Sequence, residues 1–440
     1  MRHPVMPVTA GLSGRIVGSN TTPWLVPPAV ARRDPSRSLR GRQTRFVAEL
    51  HIPELDGIRA VAVWMVILGH LQGGWSMPAY VKDSIPWLLR LALGHGWLGV
   101  DLFFVLSGFL ITGILLDSRE KPDYFKNFYM RRFLRIMPLY FTVIAICWLL
   151  YPQDHRYLLL SAGFLANVYY VFGLEQPHGS GVLWSLAVEE HFYLVWPCLV
   201  KVCSRRTITL IALAIVAGIP FVRVWALHAG FDRVNEIYVY TWTRCDGLAL
   251  GALMAIWVRS RWADRRNSLR LAAGLCCASL VLTLVGIPYG ILESGSEFRS
   301  TQAQLLFAGL VVSTVAMRGT PYTAPLRWRL AKLSGDLSYC LYLVHLTVGD
   351  LYQEAVKKLG IDAGPYGAVI LRSIVIVTVS FGMALLSRKF LEQPALRLKR
   401  YFENATKRHF EYAKKSPSAE VAAVHTLLYR WSAVYRTHGL

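Results

Sequence analysis

Apolar residues in this chain run together in blocks about as long as a membrane is thick. Eleven such blocks begin near residues 58, 97, 133, 157, 184, 207, 240, 268, 302, 333 and 366. Most approach the roughly 17 to 25 residues that a helix needs to cross a ~30 Å hydrocarbon core. Lipid offers no hydrogen-bond partners, so a crossing segment must satisfy its backbone within a helix. The pattern therefore predicts an all-α, polytopic membrane helix bundle. No interval between blocks has room for a soluble catalytic domain, so any chemistry belongs to the bundle itself.

The basic residues decide how many blocks cross. If all eleven did, loops 201–206 (KVCSRR) and 259–270 (RSRWADRRNSLR), with the loop holding Arg327 and Arg329, would fall outside. Short basic loops favour the cytoplasm. Treating 157–173 as a re-entrant or interfacial segment returns every basic loop and both termini to that side. The expectation is about ten transmembrane helices within residues 51–397. Residues 1–50 form a Pro-, Gly-, Ser- and Arg-rich tail with six arginines between Arg32 and Arg45, which reads as disordered and cytoplasmic. The tail lacks an apolar core followed by a small-residue cleavage site, so the first helix is expected to serve as the insertion signal. In residues 398–440, Val421, Val424, Leu428, Trp431 and Tyr435 make a helical stripe that fits an interfacial helix or packing on the bundle.

Composition agrees with the pattern. Of 440 residues 54% are hydrophobic and 17% charged, below the ~25% charged of soluble domains. The net charge of +21 sits in short loops, where it acts as a topology signal and not as a nucleic-acid surface. The seven cysteines lie in or beside apolar blocks with neither CxxC nor Cys/His spacing, so no disulfide framework and no metal site is expected.

Ionisable groups inside such blocks carry more information, because each costs at least ~2.5 kcal/mol at a helix centre. In ELDGIRAVAVWMVILGH, residues 54–70, Arg59 and His70 are eleven residues apart. A helix places them on one face, about 16 Å apart along the axis. Each alone could be an anchor or a satisfied core histidine; together they suggest a shared groove. In FYMRRFLRIMPLYF, 128–141, Arg132 and Arg135 are one turn apart, a spacing suited to clamping phosphate with forked donors. VLWSLAVEEHFYLVWP, 182–197, aligns Ser185, Glu189 and Tyr193 in one polar stripe, while Glu190 and His191 point elsewhere. In GVDLFFVLSGFLIT, 99–112, capping and close packing explain Asp101 and Ser107-Gly108. TWTRCDGLALGAL, 241–253, sets Arg244 and Asp246, either an ion pair or a substrate contact, beside the Gly247/Gly251 packing face. LSYCLYLVHLTV, 337–348, contains the lone histidine His345.

These stretches, in this order, resemble the acyltransferase-3 family of integral-membrane O-acyltransferases. LDGIRAVAV with its Arg-x10-His pair, GVDLFFVLSGFLIT, RRFLRIMPLY, WSLAVEEHFYLVWP, SYCLYLVH and LEQPALR all lie between residues 50 and 397. The resemblance implies about ten helices in a bacterial inner membrane. It implies transfer of an acyl group, commonly acetyl from acetyl-CoA, to a hydroxyl of a sugar, glycolipid, peptidoglycan precursor or antibiotic. Acyl-CoA would be a donor substrate, with no permanently bound cofactor. Carried onto this chain, His70 would be the catalytic histidine, Arg59 its partner, and Arg132 and Arg135 the pair holding the donor. Glu189 is assigned with His70 and Arg59, fixing the histidine tautomer from a neighbouring helix. Ser185, Tyr193, Arg244, Asp246 and His345 are assigned to substrate binding. Two departures are visible: His191 stands where members often have glutamine, and the sequence ends soon after the bundle, whereas some relatives continue into an outward hydrolase-like domain. The acyl group is therefore expected to pass directly to its acceptor. A transporter, with the buried Arg, His and Glu lining a path, is the alternative; the oligomeric state stays open.

Overall fold

The computed structural model describes residues 52–73, 94–172, 177–231, 236–286, 298–361 and 364–398. The basic tail 1–50 and the stripe at 421–435 lie outside them. Among the described residues all regular structure is helical. The elements are α1 Pro53–Gly73, α2 Leu98–Ser118, α3 Tyr124–Leu150, α4 His155–Ala162, α5 Leu183–Val202, α6 Arg205–His228, α7 Thr241–Val258, α8 Arg265–Gly286, α9 Arg299–Ala316, α10 Arg329–Leu359 and α11 Gly364–Ser387, with shorter helical turns between them.

The chain is a multi-pass membrane protein. Five helical stretches are long and apolar enough to cross a bilayer: α2, α3, α6, α8 and the continuous run Tyr366–Leu398. The number rises to six if α9 and the turn Pro321–Arg327, which meet at 106°, count as one broken span. That is fewer than the ten expected from sequence. The difference has a chemical reason: α1, α5, α7 and α10 carry Arg59, Glu189, Arg244 and His345 among other polar groups, which lower their mean hydropathy. The segment expected to be re-entrant holds only the eight-residue helix α4 followed by the turn Tyr169–Phe172. A helix of that length rises about 12 Å and cannot cross. Tyr140 donates its hydroxyl to the Ser161 carbonyl at 2.7 Å and Tyr157 to the Ser180 carbonyl at 3.0 Å, so side chains help satisfy carbonyls at the end of α4 and in the loop before α5.

Close helix crossings set the frame of the site. At the α2–α7 crossing, a Cβ added to Gly108 would collide with the Leu248 carbonyl, and one added to Gly251 with the Val105 carbonyl. Only glycine at both positions lets the backbones approach this far. Helices α1 and α10 run in the same direction. Gly335 meets the Asp56 carbonyl near their amino-terminal ends, and His345 meets His70 further along. The start of α1 suits a helix amino terminus, with Pro53 at its first position and Glu54 and Asp56 in the first turn. Glu54 also accepts from the Gly319 amide at 2.9 Å and lies 3.4 Å from Arg327, which ties α1 to the turn before α10. The loop ahead of α5 is pinned to α10. Asp350 accepts from the Gly179 amide at 2.6 Å, and Thr347 donates to the Gly179 carbonyl at 2.7 Å.

Candidate active site

Helices α1, α2, α3, α5 and α10 line a partly open cavity, the concave kind of site that holds small molecules and cofactors. Three arginines line it: Arg59 from α1 and Arg132 and Arg135 from α3. Among the described residues, neither Arg132 nor Arg135 makes a side-chain hydrogen bond or salt bridge. Arg132 lies over the Tyr193 ring, 5.1 Å from its centre. Arg59 reaches Asp56 at 3.8 Å, too far for a hydrogen bond, and is 21% exposed. Three guanidinium groups therefore converge on one space with most of their donors unspent, an arrangement suited to an anion with several oxygens.

The polar stripe of α5 lines the same cavity. Its spacing of four residues stacks Ser185, Glu189 and Tyr193 on one face, and all three line the cavity. Glu189 Oε1 accepts from Ser107 at 2.9 Å, and Oε2 accepts from Tyr193 at 2.9 Å. Ser107 and Tyr193 are themselves 2.8 Å apart. Ser185 donates to the Val182 carbonyl at 3.0 Å and stands 2.6 Å from the Tyr342 hydroxyl.

The histidines lie beyond this cavity. His345, fully buried on α10, places Nε2 3.2 Å from Nδ1 of the half-buried His70. The two ring centres are 5.0 Å apart. Tyr342 connects the two regions: it lines the cavity, packs edge-on to Phe103 at 5.8 Å, and sits one turn before His345 with ring centres 6.1 Å apart.

The structure redistributes several residues picked out from sequence. Glu189, expected to orient His70, has both oxygens engaged by Ser107 and Tyr193; the residue beside His70 is His345. The contact was misplaced because one sequence fixes spacing within a helix but not which helix lies next to it. Glu190, expected to point elsewhere, lines the cavity. His191 does point away, with Nδ1 2.7 Å from the Thr241 hydroxyl.

Arg244 and Asp246 do not pair with each other and are not part of the cavity lining. Arg244 donates to Asp101 at 2.9 Å and to Ser300, while Asp246 accepts from Arg223. Gln304 joins the two carboxylates, at 3.0 Å to Asp101 and 3.2 Å to Asp246. All four charged groups are at most 2% exposed, so this cluster binds α2, α6, α7 and α9 to one another.

Ser107, Ser338, Tyr339 and Tyr342 belong to the cavity wall and were not singled out as site residues in the sequence. A signal for the last group was present: Ser338, Tyr342 and His345 recur at intervals of four and three, one face of a helix. Ser107 had no such signal, since Ser-Gly on an apolar helix is equally a packing motif.

With this geometry in place, a profile described as an acyltransferase domain matches residues 52–387. The chain belongs to the acyltransferase-3 family. That span contains every cavity residue and both histidines. Similar proteins include the peptidoglycan O-acetyltransferase OatA of Listeria monocytogenes, 29% identical over 389 residues that make up 80% of this chain and 57% of the relative. The putative peptidoglycan O-acetyltransferase YrhL of Bacillus subtilis is 28% identical over 378 residues, covering 78% and 55%. The O-acetyltransferase OatA of Staphylococcus aureus is 29% identical over 239 residues, covering 49% and 36%. The matched part of the chain thus spans little more than half the length of the first two relatives and about a third of the last. No solved structure matches it.

Proposed function

We propose that this chain transfers an acetyl group from acetyl-CoA to a hydroxyl of a cell-envelope carbohydrate, with peptidoglycan as the first acceptor to test. The observation that carries the reading is the convergence of Arg59, Arg132 and Arg135, with unspent donors, on a cavity that ends one helical turn from the His70–His345 pair. The arginines hold the phosphates of the donor nucleotide. From there the pantetheine arm reaches toward His70, about 16 Å along α1 from Arg59. The relatives named for peptidoglycan O-acetylation support the acceptor class, and the family match weighs against the transport reading.

At His70 the acceptor hydroxyl gives its proton to the imidazole as its oxygen bonds to the thioester carbonyl carbon. The carbon–sulfur bond then breaks, and the proton leaves with the CoA thiol. Ester and free thiol are the products, and atoms balance. The same lone pair could instead take the acyl group itself before passing it on. Rapid quenching and mass spectrometry of the His70 peptide separate the two routes. About ten crossings with both termini cytoplasmic belong to this proposal, because they put the arginine mouth where acetyl-CoA is made.

The test is CoA release, followed with a thiol reagent, by the purified full chain in detergent or liposomes with acetyl-CoA and peptidoglycan fragments. The native chain should release CoA in step with acceptor acetylation. His70→Ala should lose at least ~100-fold in turnover while retaining CoA binding. CoA release by neither protein under any acceptor would overturn the transferase reading, and near-normal turnover by His70→Ala would remove His70 from the chemistry.

A further inference from the structure

The reaction above needs a lone pair on His70, and hydrogen-bond counting identifies the nitrogen that carries it. His345 Nδ1 faces two backbone carbonyls, Tyr342 at 2.8 Å and Leu341 at 3.2 Å. Carbonyl oxygens only accept, so this nitrogen bears hydrogen, and in a neutral imidazole the other nitrogen is then an acceptor. That acceptor, His345 Nε2, lies 3.2 Å from His70 Nδ1, which also lies 2.9 Å from the Val66 carbonyl. Both neighbours of His70 Nδ1 are acceptors. It must therefore bear hydrogen, and His70 Nε2 keeps its lone pair. The reverse arrangement would press a lone pair of His70 against the Val66 oxygen. It would also demand a second proton on His345, a side chain with no exposed surface.

We infer that His345 is a positioning residue for His70, and not a substrate contact. The inference rests on the proposed role of His70. The Val66 carbonyl lies on His70's own helix, four residues back, and selects only which nitrogen carries hydrogen. His345 approaches from α10 and fixes the rotation of the ring, so that Nε2 presents its lone pair to the reacting hydroxyl. The close approach of α10 to α1 at Gly335 and Asp56 sets the distance between the two imidazoles. The device resembles the carboxylate behind a catalytic histidine, with a neutral acceptor in place of the carboxylate. A neutral partner suits a site in lipid, where a further unpaired charge would be costly.

The experiment compares His345→Phe and His345→Gln in the full chain, each checked for monodispersity and for acetyl-CoA binding. Phenylalanine keeps the ring's bulk without an acceptor, whereas glutamine can place its amide oxygen near the lost Nε2. His345→Phe should lower kcat on the order of 10- to 100-fold, the usual result of misplacing a reacting group by about 1 Å, with the KM values little changed. His345→Gln should restore most of the turnover that His345→Phe loses. Nitrogen-15 NMR of histidine-labelled protein should show a protonated Nδ1 and bare Nε2 at His70, and the same tautomer in His345→Phe, where the Val66 carbonyl still accepts. Native turnover by His345→Phe, or equal loss in both variants while both remain folded, would overturn the inference. So would a raised acceptor KM with unchanged kcat, which would make His345 a substrate group. Activity retained by His70→Ala would instead defeat the underlying reading of His70, and the two failures are distinguishable.

Discussion

Arg244→Leu tests whether the buried cluster beyond the cavity is framework or substrate site. In the native chain Arg244 donates to Asp101 at 2.9 Å and to Ser300, and its guanidinium lies 4.5 Å from the centre of the Tyr238 ring. Leucine leaves Asp101, with no exposed surface, holding only the Gln304 amide at 3.0 Å. Removing one partner of a buried ion pair costs roughly 3–5 kcal/mol. The lost cation–π contact is worth about 0.5–2 kcal/mol, so the orphaned carboxylate dominates. The sum of effects amounts to at least two powers of ten in the folded-to-unfolded ratio, at about 1.4 kcal/mol each. Asp101→Asn combined with Arg244→Leu removes both charges and should recover most of the stability. The buried thiols Cys147 and Cys340 report unfolding directly through a thiol-reactive dye during a thermal ramp. The single variant should melt well below the native chain and the double variant close to it, with acceptor KM unchanged in protein that stays folded. A single variant that melts like the native chain but binds acceptor poorly would refute this reasoning and return Arg244 to the substrate site.

Other substitutions probe the cavity, the packing and the topology. Arg135→Lys keeps charge but loses the fork, so KM for acetyl-CoA should rise on the order of tenfold with a smaller change in kcat; an unchanged KM would remove Arg135 from the donor site. Gly251→Ala drives a methyl group into the Val105 carbonyl and should destabilise by about 1–3 kcal/mol, read as a lower melting temperature; native stability would mean that α2 and α7 are not so close. Single cysteines placed in 201–206 and 259–270 should resist a membrane-impermeant maleimide in intact cells and react after permeabilisation, and labelling of either loop in intact cells would reverse the proposed topology.

The fold class was legible because lipid allows few solutions. Long apolar blocks must be helices, and the block that holds the short α4 was singled out by the distribution of basic loops as one that does not cross. Crossing number was less legible: the helices that carry the site's polar groups, such as α1 and α5, lose apolar character for that very reason. Close packing was half visible. Gly247-x-x-x-Gly251 and Ser107-Gly108 announced close approach, but nothing in either motif said that they pack on each other.

Spacing along one helix is set by 3.6 residues per turn, and most relations of that kind were readable from the chain, Glu190 being the exception. It aligned Ser185, Glu189 and Tyr193, paired Arg132 with Arg135, and put His70 at depth from Arg59. Relations between helices depend on which faces pack and at what height, and no periodicity encodes that. Only the tertiary structure could set His345 against His70, seat Ser107 on Glu189, and give Arg244 to Asp101 and Asp246 to Arg223. Each of those pairs joins residues far apart in the chain whose positions are fixed by backbone contacts elsewhere, Gly335 on Asp56 and Gly251 on Val105 among them.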